Sequence, residues 1–130
     1  MGVTFDTEFI LVEHGTNLDN WELHTLQLWE IENLVRDGSS KKPMTYDEAK
    51  EIDYHTSYWR AVLDGAFYWL ECCWGTYTIL GSDKQEAIDS LNNSINDLDL
   101  DDEWDKQRLV MLEKQKRAVW ELPDPAPSVD

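Results

Sequence analysis

The sequence predicts a mainly α domain: about four helices packed around a long central hydrophobic helix, with a small N-terminal β element. Three observations predict it. Thr45–Trp74 carries apolar residues at helical spacing and most of the large aromatic side chains of the mid-chain. The stretches ending near Asp37 and Leu122 repeat that periodicity. No apolar run approaches the roughly 20 residues of a membrane span. A single domain over 1–122 is expected, followed by a disordered Pro-rich tail over 123–130.

Residues 5–13, FDTEFILVE, read as a short strand, because Phe5, Phe9, Ile10, Leu11 and Val12 are apolar or β-favouring. Its partner is expected in Thr76–Leu80 or in the edge of another chain. Thr16 or Asp19 then opens a helix to about Asp37, with Trp21, Leu28, Ile31 and Val35 on one face. Residues 21–29 also alternate, so a strand there is the alternative. The loop of 38–43 follows.

Thr45 and Glu48 form a capping-box pattern at the start of the central helix. At about 1.5 Å per residue this helix would be roughly 45 Å long, so a kink is expected, at Gly65. Beyond Val62 apolar side chains point in all directions, and a helix apolar all round is buried all round. Ser82 and Gln85 suggest the next cap, before Ala87, Ile88, Leu91, Ile95 and Leu98 at helical spacing. The last helix is expected from about Asp102 to Leu122, with Trp104, Leu109, Met111, Leu112, Ala118, Val119 and Leu122 on its apolar side.

Charge is the strongest functional signal. The 130 residues carry 27 acids and 11 bases, a net charge of −16. Residues 1–40 contribute −7 (eight acids, one base), 41–75 contribute −2 (six, four) and 76–130 contribute −7 (thirteen, six). That balance opposes direct nucleic-acid binding, because phosphates must be met by Lys and Arg. It favours a basic protein surface, including one belonging to a nucleic-acid-binding protein. The residues expected to meet such a partner are Asp97, Asp99, Asp101, Asp102, Glu103 and Asp105, with Glu22, Glu30 and Glu32 as a second patch. The expected function is therefore a non-catalytic acidic binding module, an inhibitor that mimics nucleic-acid charge in the manner of small phage or mobile-element proteins. Self-association through exposed Trp and Tyr, giving a homo-oligomer, is the alternative.

Catalytic chemistry has weaker support. Asp97, Asp99 and Asp101 match the first ligand spacings of a calcium loop, but Asp102 stands at the turn Gly position and Arg108 at the closing Glu position. Glu48/Glu51 and Glu86/Asp89 have the ExxE and ExxD spacings of all-helical MazG-type pyrophosphatases. That resemblance implies a magnesium-dependent nucleotide pyrophosphatase, although the two pairs lie further apart here than in that family. His14, His24 and His55 stand in no HExxH frame, and Cys72 and Cys73 in no CxxC frame. No Gly-rich phosphate loop is present. No cofactor and no metal are expected. Adjacent helical cysteines cannot readily bridge each other, which fits reduced thiols and a cytoplasmic location. The N-terminus lacks the basic start of a secretion signal, and no membrane contact is expected.

Overall fold

In the computed structural model, residues 3–37, 42–71 and 77–123 are described. Strand β1 (Glu8–His14) is followed by β2 (Trp21–Gln27), α1 (Leu28–Asp37), α2 (Tyr46–Glu51) and α3 (Thr56–Trp69). Strand β3 (Tyr77–Gly81) and helices α4 (Lys84–Asn96) and α5 (Glu103–Glu121) complete the order. The strands form one antiparallel sheet in the order β2-β1-β3.

The fold is therefore α+β, which corrects the mainly α, all-helical expectation. Its centre is β1 rather than a helix. Phe9, Ile10, Leu11 and Val12 are all buried, as expected of a strand covered on both faces. Side chains alternate across it. Phe9 and Leu11 join Leu28, Ile31, Trp59, Ala66 and Leu70 on the side of α1, α2 and α3. Ile10 and Val12 join Leu80, Ala87, Leu91, Leu112 and Val119 on the side of α4 and α5. The sheet is the middle layer between two helical layers.

The β1 expectation held, as did its partner at 77–80. Residues 21–27 differ: they are a strand, not the start of a helix. Leu11 faces His24 and Val12 faces Leu23 across the ladder, so Trp21 and Leu23 face α4 and α5 while Leu26 faces α1. β1 needed a second edge partner for its backbone groups, and β2 supplies it. On β3, one extra residue breaks the register between Ile79 and Gly81. Gly81 is there because a Cβ would stand 2.5 Å from Glu86 Cβ, at the start of α4.

The central helix of 45–74 also divides. Thr45 caps α2 as expected, accepting from Glu48 N. The helix then stops at Glu51, and α3 starts anew at Thr56. Gly65 lies inside α3 and no break occurs there. Nor is the C-terminal half buried all round: Phe67 is 48% exposed and Tyr68 68% exposed. Cys72, Cys73 and Trp74 lie outside the described residues, as does the tail from 124. Asp83 rather than Ser82 caps α4, accepting from Glu86 N at 2.8 Å. Glu86 reaches back to the amide and hydroxyl of Ser82, both at 2.7 Å, which lowers its pKa. Among the described residues no helix is long and apolar enough to cross a membrane.

Candidate protein-interaction surface

The acids of 97–105 form the turn between α4 and α5, and the turn is built from them. Asp102 caps α5 by accepting from Trp104 N and Asp105 N. Asp105 Oδ2 accepts from Asp99 N at 2.8 Å, and Asp99 Oδ1 accepts from Asp101 N at 3.0 Å. Asp102 thus satisfies backbone donors that the helix start leaves open, the other two bonds tie the preceding turn, and the charge of Asp102 and Asp105 suits the positive end of the α5 dipole. Asp97, Asp101 and Glu103 stand in solvent, with Glu103 meeting Lys106 at 3.1 Å. Thus three carboxylates shape the turn and three face outward from it.

Two apolar side chains stand among them. Leu98 turns inward against the α4–α5 cluster, but Leu100 is 55% exposed and Trp104 58% exposed. Trp104 and Gln107 line one side of a groove of about 440 Å³ whose other side is the β1–β2 connection, Thr16 to Asn20. The sequence pattern puts Trp104 on the apolar side of the last helix, and the structure leaves it exposed instead; Leu100 is in none of the apolar sets read from the sequence. The available signal was the placing of both within a run of acids.

The same connection leads into a polar cluster at the end of the sheet. Glu13 and Glu22 are cross-strand neighbours, and His24 Nε2 lies 2.8 Å from Glu13 Oε1 and 3.9 Å from Glu22 Oε2. Tyr77 sits on the other side of β1, its ring 6.2 Å from that of His24. Burial and then the Glu13 charge raise the Tyr77 pKa. Among the described residues, Glu13, Glu22 and His24 are the one set of three potential ligands within 4.8 Å of one another. The His24–Glu13 hydrogen bond already joins two of them, and Glu22 is largely solvated.

The nine expected contact residues are thus divided. The six of 97–105 share one turn, and Glu22 follows the hairpin connection that faces Trp104. Glu30 and Glu32 do not join them. Two positions apart on α1, they point to opposite sides of the helix. Glu30 accepts from Gln27 N at 3.0 Å at the helix start, and Glu32 is buried between α1 and α3.

The carboxylate pairs of the pyrophosphatase resemblance are also separated. Glu48 and Glu51 belong to α2, whose Ala49 packs on one side of the sheet; Glu86 and Asp89 belong to α4 on the other. They cannot converge on one metal ion. The chain matches no protein-family model, and neither a curated protein nor a solved structure of significant similarity is found for it.

Proposed function

We propose that this chain is a non-catalytic binding module that engages a basic surface on a partner protein through the α4–α5 turn and the adjoining hairpin. The observation that carries this reading is the exposed Trp104, which lines a groove with Asp19 and directly follows the solvated Asp101 and Glu103 of the acidic turn. Fields of this sign speed encounter with a basic surface and contribute less to lasting affinity. A central aromatic anchor supplies that, typically about 2 kcal/mol or more when truncated to Ala. The hydrogen bonds that hold Asp99, Asp102 and Asp105 fix the turn before binding, so little ordering entropy is lost on association.

A partner surface shaped for phosphates would be blocked to nucleic acid while the module is bound. The partner is therefore a nucleic-acid-binding protein, and the setting is the cytoplasm. The test is affinity capture from host extract, identification of the partner, and titration of the purified pair across a salt series. Affinity falls steeply with salt for the natural chain, the slope lessens for Asp101→Asn with Glu103→Gln, and Trp104→Ala weakens binding at every salt concentration. An affinity that barely changes between low and high salt rejects charge mimicry. A second reading, self-association, has its own support in the exposed Tyr54, Phe67 and Tyr68. It predicts a salt-insensitive oligomer by sedimentation at micromolar concentration.

A further inference from the structure

A carboxylate with one oxygen unanswered lies between α1 and α3, on elements separate from the acidic turn. Glu32 is 6% exposed. Its Oε1 accepts from the Tyr58 hydroxyl at 2.7 Å and forms an ion pair with Arg36 Nε at 3.2 Å. Its Oε2 is buried, and no hydrogen-bond donor among the described residues reaches it. Leaving such an oxygen without a donor costs about 1–3 kcal/mol or more for a charged group. Folded proteins rarely keep that cost unless something else fills the position.

Glu32 lines a groove of about 460 Å³, within the range of small-ligand sites. Val35, Val62 and Ala66 supply apolar lining, and Tyr58, Tyr68 and Trp69 add aromatic rings. Gly65 opens it further: a Cβ there would meet nothing within 4 Å. Arg36 is drawn to Oε1, and its Nη1 donates to the Lys42 carbonyl at 3.3 Å, so its guanidinium serves the other oxygen. Burial, and then the bond to Glu32, push the Tyr58 hydroxyl up to about 12, which keeps it a donor at neutral pH.

We infer that this groove binds an organic ammonium group carried on a slender apolar stem, with the Glu32 carboxylate turning to accept its N–H. An ammonium donor gives a charge-assisted hydrogen bond about twice as strong as a neutral one. The ring faces attract a cation within about 6 Å of their centroids, and the apolar lining takes the stem. A net charge of −16 favours cations over anions throughout.

The experiment titrates the full-length, isotope-labelled chain with n-butylammonium and follows amide shifts. Neutral N-butylacetamide and a blocked lysine peptide are titrated in parallel. Saturable shifts centred on Gly65, Trp69 and Tyr58 are expected with butylammonium, with at least tenfold weaker binding of butylacetamide. Glu32→Gln should weaken butylammonium binding at least tenfold. Gly65→Leu fills the groove without touching Glu32, and should abolish binding in a chain that folds. Tighter binding of the lysine peptide identifies a protein side chain as the source of the ammonium; tighter binding of the free amine identifies a small metabolite. Absence of saturation, equal binding of the neutral amide, or unchanged binding in folded Gly65→Leu overturns the inference. None of these results depends on the acidic turn, so either proposal can fail alone.

Discussion

The indole N–H of Trp59 donates to the carbonyl of Ile52 at 3.0 Å. In an unbroken helix that carbonyl would accept from the amide of Thr56, four residues on. Here it also accepts from His55 N at 3.0 Å, while Thr56 N turns to Tyr54 O. The side chain and a tightened turn thus take over a backbone acceptor, and the chain bends between α2 and α3. The bend lets Ala49 and Trp59, both fully buried, pack into the same cluster.

Trp59 should accordingly be the most sensitive position of that layer. Trp59→Ala is expected to cost about 3–5 kcal/mol, a large part of the stability of an ordinary domain. Trp59→Phe keeps an aromatic ring but loses the donor and some volume, and should cost less. Urea unfolding of the two variants measures both, and a loss below 1 kcal/mol for Trp59→Ala would show that the indole does not hold the bend.

Much of this layer was legible in the sequence, and the exceptions have physical causes. Apolar spacing placed Trp59, Ala66 and Leu70 in the core, where they are. It could not reveal the break, because Ile52 to His55 contains neither Gly nor Pro and the cause is a side-chain bond. Trp21 to Gln27 fits helical and strand periods alike, and only the need of β1 for a second partner decides between them. The acids of 97–105 were read as a charged patch. That Asp99, Asp102 and Asp105 bond to backbone amides depends on the turn geometry. The sequence puts Glu32 in a contact patch with Glu22 and Glu30, whereas the structure buries it; Arg36 at i+4 was the available hint.

Gln115 is the counterpart to Glu32 on the other side of the sheet. It is fully buried on α5, and neither its amide nitrogen nor its amide oxygen has a partner among the described residues. A buried polar group without partners is destabilising relative to an apolar group of similar shape. Gln115→Met preserves length and removes both polar atoms, so it should stabilise the chain by about 1–2 kcal/mol. A lowered urea midpoint for this variant would mean that a trapped water satisfies the amide.

His14 sets the expected response to mild acid. Burial, and then the nearby Arg108 guanidinium, hold its pKa below the ordinary 6.5, with Glu71 acting in the opposite sense. The unfolded chain therefore takes up this proton more readily than the folded one, and stability rises with pH where the two differ. The contribution is fully present above about pH 6.5 and is lost as pH falls from there through the lower folded value. The melting temperature should decline from pH 7.5 to 5.5, and less so in His14→Gln. Equal declines in the two proteins would place the effect elsewhere.

The acidic turn should separate two kinds of carboxylate. Asp102→Ala removes the cap of α5, with its bonds to Trp104 N and Asp105 N, and should cost about 1 kcal/mol. Asp97→Asn, Asp101→Asn and Glu103→Gln remove charge without removing a carboxylate–amide bond of the turn. Surface changes of that kind ordinarily stay within about 0.5 kcal/mol. Relief of repulsion among six neighbouring acids should make the combined triple variant stabilising at low salt, and less so as added salt screens the turn. Denaturation of both variants at 20 mM and 500 mM salt makes the comparison. If the triple variant is as destabilised as Asp102→Ala, the outward carboxylates are structural, and the turn has no surplus charge to offer a partner.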